Sequence, residues 1–278
     1  MSTERRGSPP SIHPSAVIGP EADLADGVEI GPFCLIQGNV RIGRGTRLIS
    51  HITIFGSTEI GENNIFHPHA VIGGEPQDTA YTGGPRSVKI GNRNVFREGT
   101  TVNRGCEKGD ITIIGDDNLL MVNSHVGHDC RLGSGIIIVN GSLLGGWVEV
   151  GDSAFISGNC AVHQFCRIGR LSMISGVSTT SRDLPPFCIM ESRHELKGIN
   201  VVGLRRAGFT VAQIAALRRA YNQLFGRRHN MAIAMEHLVA EGPSTPEVAE
   251  MIEFIRSSKR GVVFPPLRLA RSEDEPED

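Results

Sequence analysis

Along most of the chain, apolar positions return every six residues. From Ile12 an aliphatic residue or Phe fills every sixth position through Ile72, and the same frame resumes at Ile90, Phe96 and Val102. It runs again from Ile114 to Ile174, always on a multiple of six, so two interruptions leave the phase intact. The next residue is often Gly (Gly31, Gly61, Gly91, Gly133, Gly151), and the fifth of each hexad is small or modest in size (Ala70, Ser124, Cys130, Ala154, Cys160). A helix repeats near 3.6 and a half-buried strand at 2, whereas a sustained period of six predicts a parallel β-helix of short strands joined by tight turns. Three hexads make one triangular coil, so residues 18 apart should stack about 4.8 Å from each other, the usual strand spacing. Positions one and five should face the interior, the others outward or at corners.

The expected architecture is mainly β: a left-handed parallel β-helix of hexapeptide repeats over residues 12–186, followed by a small α-helical C-terminal domain over 187–266. Residues 1–11 read as a disordered leader without the apolar stretch of a signal peptide, and 267–278 as an acidic tail. Segments 74–88 and 104–112 break the repeat and read as loops expelled from the solenoid, a common place for a binding face. Beyond the Pro-rich exit at 182–187 the period becomes helical. Helices are expected over 210–225, with Ile214, Leu217, Tyr221 and Leu224 on one face, over 231–242, and over 245–258 with Thr245 as N-cap and Pro246 behind it.

Composition narrows the chemistry. Lys and Arg total 28 against 30 Asp and Glu, which gives no nucleic-acid or membrane signal, and no apolar run approaches the length of a membrane span. Six cysteines at irregular spacing form no metal-ligand or secreted-disulfide pattern, so a reducing, cytoplasmic setting is expected. Four of them (Cys34, Cys130, Cys160, Cys166) fall on the fifth, interior position as small space-fillers.

The stretch NSHVGHDC (123–130) carries the candidate chemistry. In the hexad frame His125 and His128 both point outward, which disfavours core histidines and leaves a solvated surface pair, a zinc site or a catalytic base. Zinc needs three or more ligands in matched geometry, and neither His125/His128 nor His67/His69 comes with an evident third. Asp129 directly follows His128 and is placed to orient its ring. One coil on lies Gly146, whose backbone N–H is placed to stabilise an oxyanion, the layout acyl transfer needs.

These residues, with GEPQD (74–78), AVHQFC (161–166) and GINVVGLRRAGF (198–209), make the chain resemble the UDP-N-acetylglucosamine 3-O-acyltransferases that begin lipid A synthesis. The resemblance runs from about Ile12 to Val262. It implies a homotrimer with sites between subunits, acyl carrier protein as 3-hydroxyacyl donor, UDP-N-acetylglucosamine as acceptor, and no metal or cofactor. It implies His128 as base supported by Asp129, and the Gly146 N–H as oxyanion donor. Gln77 and Asp78 would hold the acceptor sugar beside His125. His163 and Gln164 would line the nucleotide and pantetheine region, while Asn200 and Arg206 would lie near the nucleotide and the carrier protein. His194 and Gly176 would close the far end of an acyl groove, the glycine leaving room for a long chain. Arg205, Arg206, Arg218, Arg219, Arg227 and Arg228 would suit an acidic carrier protein, or form an ordinary solvated helix face. Departures from the family pattern are Ala80 for a lysine, Asn103 and Trp147 for histidines, and Val202 for an acidic residue. They leave open a different nucleotide sugar, including a 3-amino one, or a non-catalytic trimeric binder.

Overall fold

The computed structural model describes residues 8–84, 86–106, 111–226 and 231–266. Most of the leader, four residues of the second expelled loop, Arg227, Arg228 and the acidic tail lie outside the described residues. Short strands stack into three sheets of 11, 9 and 8 strands that wind around one another as a left-handed parallel β-helix.

Burial follows the hexad. Positions one and five (Ile36 and Val40, Ile54 and Thr58, Leu132 and Ile136, Ile156 and Cys160) are closed to solvent along the shaft. Each fully buried aliphatic side chain contributes roughly 1.5–3 kcal/mol. Phe66 and Phe96 stack face to face at 4.6 Å in consecutive coils. Where position five is Asn, the amides form an internal ladder: Asn64 Oδ1 accepts from Asn94 N–H (2.9 Å), and Asn94 Oδ1 from Asn118 N–H (2.9 Å). These otherwise costly polar groups are thereby paired.

The 18-residue register holds between regular coils, as in Leu48 beside Phe66 and His125 beside Leu143. Across the expelled loops it lengthens: Phe66 pairs with Phe96 and Phe96 with Leu120. Both longer coils still contain whole hexads, which is why the phase survived the interruptions.

Two features depart from the expected pattern. The chain is already in the first sheet at Ser11, one residue inside the expected leader, paired with Glu29. Where a helical domain was expected from residue 187, two further strands come first. Cys188–Glu191 continues the sheet parallel to Met173–Ile174, and Glu195–Ile199 returns antiparallel to it. Cys188 and Met190 are buried while their neighbours are partly open, a period of two too short to stand out in the sequence. Four helices follow: α1 (Val201–Arg206), α2 (Val211–Phe225), α3 (Met231–Glu241) and α4 (Pro246–Arg256). α2 starts on a capping box between Thr210 and Gln213, and Thr245 caps α4. No helix among the described residues is long and apolar enough to cross a membrane.

Candidate functional site

On the face of the nine-stranded sheet lies a groove of about 520 Å³. Asp78, Asn103, His125 and His128 form one end, with Thr180 and His194 at the other. His128 and Asp129 leave the shaft at a corner, as the hexad frame expects, yet they are not solvated. Their residues are only 5% and 6% exposed, because the expelled loops fold over them. The solvated-pair reading therefore fails for His128. Among the described residues no group of three or more His, Cys, Asp or Glu side chains is arranged to hold a metal.

His128 Nδ1 lies 2.7 Å from Asp129 Oδ2. A carboxylate accepts, so Nδ1 carries a proton, and in the neutral ring Nε2 is the nitrogen with the lone pair. Asp129 sits at φ 60°, the left-handed turn that rounds the corner. Its N–H donates to Thr112 Oγ1 (2.8 Å), and its carboxylate accepts from Cys106 N–H (2.9 and 3.2 Å). The Trp147 ring meets the His128 ring edge-on at 4.5 Å and stacks on Phe165 at 4.7 Å. The imidazole is thus fixed by a hydrogen bond on one side and an aromatic wall on the other.

Facing Nε2 at 3.7 Å is Asp78 Oδ2, too far for a direct hydrogen bond. The other oxygen of Asp78 accepts from Ala80 N–H (2.8 Å), an Asx-type turn that fixes the carboxylate; Gln77 lies exposed beside it. His125 Nδ1 is 2.7 Å from Thr101 Oγ1, its partner in the adjacent strand. Burial first, and then the neighbouring His128, push the His125 pKa below the ordinary value, so its ring favours the neutral form. Asn103, also in the groove, donates through Nδ2 to Glu75 O (2.6 Å), while its buried Oδ1 has no partner among the described residues.

Gly146 sits beneath the imidazole, as the 18-residue rule expects. A Cβ there would come within 2.5 Å of His128 Cε1, so only glycine leaves the ring in place. Among the described residues the Gly146 N–H donates no hydrogen bond, whereas its carbonyl accepts from Phe165 N–H.

The remaining predicted residues separate into two groups. His163, Gln164 and His194 line the same groove. His194 Nε2 accepts from Ser181 N–H (2.8 Å), and burial, helped by Arg182 and Arg193, lowers its pKa. His163 Nδ1 lies 3.4 Å from Arg260 Nη2. Gly176 is exposed and outside this groove, with no atom closer than 3.7 Å to a would-be Cβ. Asn200 and Arg206 are also outside it. Asn200 caps α1 through Oδ1 and donates through Nδ2 to Leu171 O (2.9 Å); Arg206 is exposed at the end of that helix. Sequence reasoning missed Thr101, Cys106, Ser181, Arg193 and Arg260. Only Thr101 left a signal, one reached by counting whole hexads across the second loop to His125.

Residues 183–263 match the family model described as Udp N-acetylglucosamine O-acyltransferase, Domain 2. An acyl-[acyl-carrier-protein]--UDP-N-acetylglucosamine O-acyltransferase from Thermodesulfovibrio yellowstonii is 46% identical over 90% of this chain and 98% of its own. One from Stenotrophomonas maltophilia is 44% identical over 90% and 97%. Among solved structures, the UDP-N-acetylglucosamine acyltransferase of Francisella novicida superposes with a TM-score of 0.89 at 35% identity, over 95% of this chain and 99% of that one. That of Bacteroides fragilis gives 0.87 at 39% identity, over 91% and 99%. The chain belongs to the UDP-N-acetylglucosamine O-acyltransferase family.

Proposed function

We propose that this chain, as a cytoplasmic homotrimer, transfers a 3-hydroxyacyl group from acyl carrier protein to the 3-hydroxyl of UDP-N-acetylglucosamine, the first step of lipid A synthesis. The relatives' shared activity supports the reaction. The observation that carries the site is the buried His128–Asp129 pair, its free Nε2 facing an open groove next to the unpartnered Gly146 N–H. Nε2 removes the proton of the sugar hydroxyl while Asp129 steadies the imidazolium that forms. The oxygen attacks the thioester carbonyl, and the new oxyanion accepts from Gly146 N–H. Collapse breaks the C–S bond, and the departing thiol takes the proton back from His128.

Asp78, its Oδ2 free, accepts from a sugar hydroxyl beside the reacting one, with Gln77 alongside and His125 next to the base. His163 and Gln164 flank the nucleotide and pantetheine. His194 bounds the acyl end of the groove, and the open space at Gly176, outside it, suits the tail of a long chain. Asn200 caps the helix that carries Arg205 and Arg206, and these arginines with the exposed Arg218 and Arg219 serve the nucleotide and the acidic carrier protein. In this reading the β-helix (12–186) holds the chemistry and the C-terminal part (187–266) receives the donor.

The test is acyl transfer from a panel of 3-hydroxyacyl carrier proteins to UDP-N-acetylglucosamine, with the unsubstituted protein and His128→Ala side by side. His128→Ala should lose about 10²–10⁴-fold in kcat while remaining a folded trimer by sedimentation. Undiminished turnover in the variant would remove His128 as the base. Turnover of a 3-amino nucleotide sugar alone would move the acceptor.

A further inference from the structure

The second expelled loop makes contacts that the reaction above does not use. Its first residues, Arg104 to Cys106, reach in two directions. Toward the first loop, Arg104 N–H donates to Gly74 O (3.0 Å), and the Arg104 guanidinium to Gly73 O (3.0 Å), Glu75 Oε1 (2.9 Å) and Tyr81 Oη (3.1 Å). Toward the shaft, the Cys106 N–H donates to both oxygens of the Asp129 carboxylate. Cys106 is itself held, because Arg86 Nε, from the end of the first loop, donates to its carbonyl at 2.8 Å.

We infer that Arg86 is a positioning residue for the catalytic pair, acting through Cys106, whose backbone N–H orients Asp129 and thereby His128. The inference rests on the role given above to His128 and Asp129. Its physical basis is geometric. Asp129 Oδ2 accepts from His128 Nδ1–H at 2.7 Å and from Cys106 N–H at 2.9 Å, so moving Cys106 reorients the carboxylate that aims the ring. A hydrogen bond from a charged donor is stronger than one between neutral groups, which suits Arg86 to hold a loop backbone in place. Cys106 is buried at 4% exposure, so truncating Arg86 opens the space into which its backbone can relax, and that shift passes directly to Asp129. The grip on the loop that carries Asp78 comes instead from Arg104, two residues earlier.

The experiment is a double-mutant cycle on the full-length protein: Arg86→Ala, Asp129→Ala and the pair, with Arg86→Lys as the conservative variant. Arg86→Ala should lower kcat about ten- to hundredfold and change the acceptor KM less than about twofold, since misaimed groups cost rate before they cost binding. With Asp129 already replaced, removing Arg86 should cost less than about twofold more in kcat, because the carboxylate it positions is gone. Arg86→Lys should restore part of kcat. A merely structural role predicts a lower melting temperature with multiplicative losses in the cycle. That result, or an unchanged kcat in Arg86→Ala, overturns the inference. Absence of turnover in the unsubstituted protein would instead count against the reading of the site on which it rests.

Discussion

Two corners of the same coils use the third hexad position in opposite ways. After the eight-stranded sheet, four successive corner N–H groups, from Glu62 to Ser134, are each capped by a side chain from the next coil. Asn92 Oδ1 accepts from Glu62 N–H, Asp116 Oδ1 from Asn92 N–H, Ser134 Oγ from Asp116 N–H, and Asp152 Oδ1 from Ser134 N–H, at 2.7–3.0 Å. After the nine-stranded sheet, the corner at His128 and Gly146 has no such cap among the described residues, and the Gly146 N–H is left to the groove. A parallel β-helix leaves one donor per corner outside its ladders. Pairing it within the fold adds stability, and leaving it open provides a donor for chemistry.

The sharpest test of this contrast is Gly146→Ala. The backbone there is not left-handed, so alanine suits it, but the new methyl carbon would lie 2.5 Å from the His128 ring. With Asp129 on one side and Trp147 on the other, the ring has to leave its aimed position. kcat should fall about hundredfold, while stability changes by no more than about 1–3 kcal/mol. Steady-state kinetics beside thermal unfolding separate the two effects. A variant that keeps its kcat would mean the corner glycine is there for coil packing alone.

The hexad frame made this corner legible in advance. Adding 18 to His128 reaches Gly146, and the interior positions are those the structure buries. Three things were not legible. The cover over His128 and Asp129 comes from expelled loops, whose path follows no period, and its key donor is a backbone N–H that no residue type announces. The Trp147 ring turned to His128 because a column fixes where a Cα sits, not which neighbour a large side chain meets. Helix α1 has six residues, under two turns, and Asn200 reads in sequence as a ligand-facing polar residue although both ends of its amide are spent on the fold. Short elements and caps are decided by tertiary contacts that a single chain does not display.

The capped corner answers a smaller prediction. Asp152→Ala removes the acceptor for Ser134 N–H on the face away from the groove. It should cost about 1 kcal/mol of stability, seen as a lower denaturation midpoint, and leave kcat unchanged. A kcat loss comparable to that of Gly146→Ala would collapse the distinction between the corners.

The smallest effect concerns pH and His125, the neighbour of the uncapped corner. Burial and the nearby His128 hold its pKa below the ordinary 6.5, so the folded protein resists a proton that the unfolded chain accepts. In the window downward from 6.5 the unfolded state binds more protons, and stability rises with pH there and is lost as pH falls. Above that window both states hold a neutral ring and the contribution is fully present. His125→Gln keeps a hydrogen-bonding group near Thr101 but cannot titrate, so its unfolding free energy should fall less steeply below pH 6.5 than that of the unsubstituted protein. Denaturant midpoints measured every half unit of pH decide it. Parallel curves would place the acid sensitivity elsewhere, whereas a flatter curve for the variant ties it to a histidine kept neutral beside the uncapped corner.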